Sequence, residues 1–261
     1  MPTAADPRPP LDVERLAPYG VEVVSEAGST NALVADRARE GASEWLVVVT
    51  EHQTSGRGRL DRTWETPDRA ALTFSTLLRP QRAGAEWPWL PLVAGIATVE
   101  ALREHAVPAG LKWPNDVMLA DRRGADGKLA GILAERVETS QGPAAVVGIG
   151  LNISQTAEEL PVPTATSVTH ATGATIDRTA LLISLLTRLR QEYDAWSAAG
   201  GARVRGDYVE ACLTLGQEVR VSLPGGTELS GQATDVDDSG RLVVAGTPVA
   251  AGDVLHVRPT Q

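Results

Sequence analysis

A single cysteine, Cys212, serves all 261 residues, so no internal disulfide is possible and a reducing, cytoplasmic setting is expected. In DYVEACLTL that cysteine reads as a packed core thiol on a helix. The four histidines, His52, His105, His170 and His256, are scattered without metal-ligand spacing, so no protein-held transition metal is expected. No apolar run approaches the roughly 18 residues of a membrane span, and MPTAADPRPPLDVERL has neither the basic start nor the apolar centre of a secretory signal. Positive charge is short overall: the net charge is -9 and the pI about 5.0, which argues against nonspecific binding to DNA or a membrane surface. Any anion must be met locally. The chain also lacks G-x-x-x-x-G-K-[ST] and any dinucleotide fingerprint opening a helix, which excludes a P-loop and a Rossmann turn.

What is present is an ordinary globular composition, 43% apolar and 22% charged, in a chain long enough for one large and one small domain. Residues 1–20 read as a flexible, proline-rich segment. Ser29 is a helix N-cap for residues 30–40, with Gly41 as the stop. WLVVVTEHQ reads as a buried central strand and ALTFSTLL as an alternating, half-buried one, joined by an arginine-rich loop. PWLPLVAGIATVEALREH has helical apolar spacing, with Pro91 in the first turn. Strands follow at LKW, VMLA, KLAGILAERV and AAVVGIGLNI, with DRRGADG as a turn. A long helix capped by Asp177 and ended by Gly200 and Gly201 comes next, then a second helix to about Leu215. From Gly216 the texture changes to short strands between PGG and DDSG turns, as in a small SH3-like β-barrel. The expected class is α+β: a mixed-sheet domain over 21–215, flanked by helices, and a β-rich domain over 216–261.

Three stretches carry candidate chemistry. In QTSGRGRLDRTW (53–64), Arg57 and Arg59 would project to one side of an extended loop, while Gly56 and Gly58 allow close backbone approach to a ligand. Arginine forks pair bidentately with phosphate or carboxylate, so the loop reads as an anion clamp. It reads equally as a solvated turn whose arginines pair with Asp61, Glu65 or Asp68. Lys112-Trp113-Pro114-Asn115-Asp116 is either a plain turn or a site where a carboxylate positions a cation or nucleophile. Lys128 opens KLAGIL, at a pocket edge or at a turn end. Gly148 and Gly150 in VVGIGLN would admit a close-lying ligand, or mark packing or a bulge.

The order of these signals, STN, Q-x-x-GRGR-x-x-R-x-W, KWPND, KLAGIL-x-E and GIGLN, resembles the catalytic domain of biotin protein ligases over about Glu22 to Asn152, and the β-rich tail resembles that family's C-terminal domain. The resemblance implies that biotin and ATP form biotinyl-5'-AMP, and that biotin then passes to a lysine on the biotin carboxyl carrier domain of acetyl-CoA carboxylase or a related carboxylase. It places Ser29, Thr30, Asn31, Gln53, Arg57, Gly58, Arg59, Lys128 and Gly131 at biotin. It places Arg59, Arg62, Trp64, Lys112, Asn115, Asp116 and Asn152 at the nucleotide, with Mg²⁺ arriving on ATP and no separate metal site identified. Arg57, Arg59, Lys128, Lys112 and Asp116 are the implied catalytic residues, Asp116 orienting or deprotonating the carrier lysine. Two positions depart from the pattern: Asp61 stands where the family loop commonly has glycine, and Ala71 where some relatives are polar.

Too few residues precede the catalytic segment for the DNA-binding domain of the bifunctional members, so a ligase without DNA or membrane partners, monomeric or weakly dimeric, is expected. A lipoate-type ligase and a non-catalytic anion-binding interaction module are the competing readings.

Overall fold

A computed structural model describes residues 8–59, 62–121, 124–223 and 226–257, without the side chains of 121–126. In chain order the elements are α1 (Val13–Leu16), β1 (Val21–Ala27), α2 (Thr30–Arg39), β2 (Val47–Arg57), β3 (Thr63–Thr66), β4 (Ala71–Leu78), α3 (Leu90–Glu104), β5 (Ala109–Lys112), β6 (Asp116–Asp121), β7 (Gly124–Thr139), β8 (Gly142–Asn152), α4 (Val168–Thr172), α5 (Arg178–Ala199), α6 (Gly201–Ala211), β9 (Glu218–Ser222), β10 (Glu228–Val236), β11 (Leu242–Val244), β12 (Thr247–Val249) and β13 (Asp253–His256). Two compact units form, each from two stretches of chain: residues 1–80 with 127–186, and 81–126 with 187–261.

The first unit is built on a mixed sheet in the order β1-β2-β4-β8-β7, with β3 paired to β2. Only β1 and β2 run parallel; the other pairs are antiparallel. The helix α2 covers this sheet, burying Val34, Ala35 and Ala38 against Val48, Leu77, Val137, Ala144 and Val146. It starts where expected because the Ser29 hydroxyl accepts the Ala32 N–H, satisfying one of the amides a helix start leaves unpaired. Arg37 and Arg39 in its last turn complement the negative end of its dipole.

Three expectations need correction here. ALTFSTLL, expected to be half-buried, is buried at every position as β4, because β2 and β8 flank it and α2 packs on it. Its polar residues Thr73, Ser75 and Thr76 therefore face the interior. The arginine segment is largely a hairpin, since β2 runs on to Arg57 and β3 returns from Thr63. Residues 8–20, expected as part of a flexible tail, form α1 and a tight turn, with Leu11 and Leu16 buried. Arg8 pairs with Glu159, and Arg178 donates to the Pro9 carbonyl at 2.7 Å. Residues 1–7 lie outside the described residues.

In the second unit α3 presents Leu92, Ile96, Val99 and Leu102 to the interior, with Pro91 tolerated in its first turn. The hairpin β5–β6 sets Lys112 opposite Asp116. The C-terminal strands form an antiparallel sheet in the order β12-β11-β10-β9-β13. This is the small SH3-like domain that was expected, and among the described residues its edge strands β12 and β13 do not pair. It is tied to the rest of this unit by polar contacts: the Trp89 indole donates to the Asp238 carbonyl at 2.9 Å, the Trp113 indole to the Gly240 carbonyl at 3.0 Å, and Arg205 pairs with Asp235 at 2.5 Å. Trp89 also meets Tyr208 edge-on, with centroids 6.4 Å apart. Cys212 is buried as expected of a core thiol, and burial pushes its thiol pKa up, against reactivity. Of the expected turns, DRRGADG includes Arg122 and Arg123, and PGG includes Pro224 and Gly225, all outside the described residues.

Candidate active site

In the first unit the start of α2, the end of β2 with β3, and the middle of β4 and β7 bring polar groups together over two glycines of β8. Thr30 and Asn31 are buried just past the Ser29 cap. The Thr30 N–H, an amide that α2 itself leaves unpaired, donates to Gln53 Oε1 at 3.0 Å. Gln53 Nε2 donates to the Trp64 carbonyl at 3.0 Å, which fastens β3 to β2 beyond the irregularity in their pairing. A Cβ at Gly56 would overlap both the Gln53 amide and the Trp64 carbonyl, so this glycine is required by close approach.

Further polar contacts join this group. Thr30 Oγ1 lies 2.7 Å from Ser75 Oγ, which donates to Asn31 Oδ1 at 2.6 Å. Asn31 Nδ2 donates to Glu135 Oε2 at 2.7 Å. The other oxygen of Glu135 meets the Arg57 guanidinium at 3.4 Å. Lys128 Nζ lies over the Trp64 indole, 5.6 Å from the ring centroid, within cation–π range. The Trp64 Nε1 is buried without a hydrogen-bond partner among the described residues.

Gly148 and Gly150, read as openings for a ligand or as packing, are filled by the protein itself. A Cβ at Gly148 would collide with the Asn31 side-chain oxygen, and one at Gly150 with the Trp64 indole. Gly131 lies under Trp64 and Lys128: a Cβ there would come 3.2 Å from the indole and 3.3 Å from the Lys128 ammonium.

The expected site residues fall into groups. Thr30, Asn31, Gln53, Arg57, Trp64, Lys128 and Gly131 are brought together by the contacts above. Ser29 acts as the helix cap. Gly58 and Arg62 close the hairpin turn, with the Gly58 N–H donating to the Arg62 carbonyl at 2.6 Å and the Arg62 N–H to the Arg59 carbonyl at 3.3 Å. Asp61, the departure from the family loop, lies outside the described residues. Asn152 ends β8 in a separate set of bonds: its amide donates to the Thr166 carbonyl at 3.0 Å and accepts from Gln155 at 2.8 Å. In the second unit Lys112, Asn115 and Asp116 share the hairpin mouth, where the Trp113–Pro114 peptide is cis and Trp113 is buried. Sequence reasoning missed Ser75 and the role of Glu135. The Glu was visible in KLAGIL-x-E, but its partners are 104 and 78 residues away in sequence.

Residues 25–152 match the model of the Biotin/lipoate A/B protein ligase family, and residues 214–257 match the Biotin protein ligase C terminal domain. The chain is 41% identical to the biotin–[acetyl-CoA-carboxylase] ligase of Mycobacterium tuberculosis, over 96% of this chain and 97% of that one. It is 31% identical to the bifunctional ligase/repressor BirA of Escherichia coli, over 86% of this chain and 68% of that one. Among solved structures it resembles the biotin protein ligase from Aquifex aeolicus in complex with biotin and ATP, with a TM-score of 0.77 and 29% identity over 92% of this chain and 99% of that one. These matches place the protein among the ligases of the biotin/lipoate protein ligase family. Within that class, the chain belongs to the biotin protein ligase family.

Proposed function

We infer that this chain is an ATP-dependent biotin protein ligase, and the observation that carries the reading is its 41% identity along almost its whole length to a biotin–[acetyl-CoA-carboxylase] ligase. Biotin and ATP are the substrates. The biotin carboxylate attacks the α-phosphorus of ATP, pyrophosphate leaves, and biotinyl-5'-AMP forms. The amine of a carrier-domain lysine then attacks the acyl carbon, an amide forms, AMP leaves, and the amine's proton passes to a base or to solvent. No enzyme nucleophile is needed, which accounts for the lack of a Ser/His/Asp or Cys/His set in the sequence.

Several residue roles are proposed on this basis. Thr30, Asn31 and Gln53 hold the biotin ring, with Ser29 organising the helix mouth that carries them. Arg57, Gly58, Arg59, Lys128 and Gly131 line its carboxylate end. Two anions must approach each other during adenylation, and fixed cations stabilise most where charge grows in the transition state. On the family resemblance alone, Arg59, Arg62, Trp64, Asn152, Lys112, Asn115 and Asp116 are assigned to the nucleotide. The cation–π contact of Lys128 with Trp64 supports a shared task for these two. The arginine-rich stretch QTSGRGRLDRTW is proposed to act as a lid that keeps water from the mixed anhydride. Mg²⁺ is proposed to enter as MgATP, with the phosphates as its main ligands.

A division at about Leu215, a cytoplasmic setting, and a monomer or weak dimer complete the proposal. No helix among the described residues is long and apolar enough to cross a membrane. The net charge of -9 supports the absence of a DNA partner, which a gel-shift assay at physiological salt tests directly. Biotin-dependent ATP–pyrophosphate exchange, followed by transfer to a carrier domain, tests the function. Exchange driven by lipoate and not by biotin would instead establish the lipoate reading, and no exchange with either acid would favour the interaction module.

A further inference from the structure

We propose that Glu135 is a positioning residue that sets the direction of a buried hydrogen-bond chain, Glu135–Asn31–Ser75–Thr30, so that the Thr30 hydroxyl can only accept a hydrogen bond from biotin. The inference rests on the reading that Thr30 meets biotin, and it concerns how the site selects its ligand.

Protons along the chain can be assigned by elimination. A carboxylate only accepts, so the Asn31 group that meets Glu135 Oε2 at 2.7 Å must be its amide nitrogen. Asn31 Oδ1 therefore faces Ser75 and accepts its hydroxyl proton at 2.6 Å. With that proton committed, Ser75 Oγ can only accept from Thr30 Oγ1 at 2.7 Å. Thr30 has a single hydroxyl proton and it is now spent. Its contact to Gln53 Oε1, at 3.4 Å, is the weaker alternative for that proton, because Ser75 Oγ lies at 2.7 Å. What remains on Thr30 Oγ1 is lone-pair density, which suits an N–H donor and repels an ether or carbonyl oxygen.

The surroundings preserve this order. Thr30, Asn31 and Ser75 are buried, so water does not readily scramble the donors. Gly148 leaves the space that the Asn31 oxygen occupies, and a Cβ there would also lie 3.2 Å from Ser75 Oγ. Arg57 meets the second oxygen of Glu135 at 3.4 Å. The Asn31 amide nitrogen also donates to the Leu133 carbonyl at 3.4 Å, so neutralising Glu135 removes the shorter of the two acceptors that hold it. A glutamine can donate to Asn31, the Asn31 amide can turn over, and every bond in the chain can reverse until Thr30 donates.

The test is calorimetric binding of biotin and of two analogues, each with one ureido N–H replaced by oxygen, to the parent protein and four variants. Thr30→Val is expected to weaken biotin binding and to erase the discrimination against one analogue, which identifies the N–H that Thr30 takes. If Thr30→Val binds biotin as the parent does, the placement of Thr30 at biotin is wrong. Given that placement, Ser75→Ala frees the Thr30 proton and Glu135→Gln lets the chain reverse. Both should then reduce discrimination against that analogue by about tenfold or more, the scale of one buried acceptor left unpaired. Glu135→Asp keeps the charge and should keep the discrimination. A parent-like ratio in Ser75→Ala and Glu135→Gln overturns the proposal while leaving the biotin site intact, and an equal loss in the Asp and Gln variants overturns charge as its cause.

Discussion

Substituting Glu51 by glutamine should destabilise the first unit more than any surface change would. Arg178 opens α5 and meets Glu51 at 2.7 Å, and the two side chains are only 6% and 10% exposed. Glu51 has both oxygens engaged, because its Oε1 accepts the Leu11 N–H at 2.6 Å. The guanidinium also donates to the carbonyls of Ala71 at 3.1 Å and Pro9 at 2.7 Å. Glutamine fits the same volume but replaces one oxygen by an amino group. That group must face either the Leu11 N–H or the guanidinium, donor against donor, and Arg178 is left as a buried charge without its counter-ion. Breaking a buried pair from one side costs about 3–5 kcal/mol, a large part of a typical domain's total stability of roughly 5–15 kcal/mol. With a urea slope of about 1–3 kcal/mol per molar, the unfolding midpoint should fall by about 1 M or more. The assay is urea unfolding followed by circular dichroism, with Arg178→Met and the double variant completing a cycle. The double variant should lose less than the two single losses added, because no unpaired charge remains. A midpoint shift of about 0.3 M or less for Glu51→Gln would reduce the pair to the value of an exposed one and refute the argument. Limited proteolysis supplies a second readout: the pair holds Pro9 and Leu11, so residues 8–20 should become the earliest site of cleavage in the variant.

Other outcomes follow from the same structure. Gly150→Ala forces the Trp64 indole from its place and should cost about 1–3 kcal/mol in thermal unfolding, together with a loss of pyrophosphate exchange; an unchanged exchange rate would separate Trp64 from the nucleotide. Asp116→Ala should slow transfer to the carrier lysine by about 100-fold or more while adenylate still forms, measured by single-turnover transfer from preformed biotinyl-AMP, and a normal transfer rate would end the proposed role. Burial, with repulsion from Glu100 and Asp207, holds the Glu192 carboxyl above its ordinary 4.5. A raised carboxyl contributes stability that is present below the unfolded value and lost as pH rises through the folded one. Glu192→Gln should therefore match the parent's thermal midpoint near pH 4 and exceed it increasingly above pH 4.5; a gap that does not change with pH would refute this cause. Asp177 is opposite in sign: although burial raises its pKa, the Arg15 guanidinium and the N–H groups of Ala180 and Thr179 hold it below the ordinary range. Asp177→Ala should lose about 1 kcal/mol near neutral pH, and less as acid protonates the parent's carboxylate.

Local features of this chain were legible from residue order. The Ser29 and Asp177 caps, Pro91 at the start of α3 and the Gly200 stop each act within one helical turn, so neighbouring residues suffice to reveal them. The ordered motifs from STN to GIGLN also carried the family. The polar residues of β4 were misread because alternation of Thr and Ser with apolar residues looks the same whether the polar side meets water or a buried hydrogen-bond chain. Ser75 belongs to such a chain, and its partners lie 44 and 45 residues away. Gly148 and Gly150 show the same limit: a missing Cβ is visible in sequence, but which atom uses the space is decided by Asn31 and Trp64 arriving from other elements. Trp113 could be read as part of a turn, whereas its indole is held by the Gly240 carbonyl, 127 residues on. Sequence alone determined where helices start, which segments are apolar, and which family's motifs are present, since these depend on residues near one another along the chain. Only the tertiary structure decided which polar groups share a buried hydrogen bond, because donors and acceptors far apart in the chain become specific to one another only when packing excludes water between them.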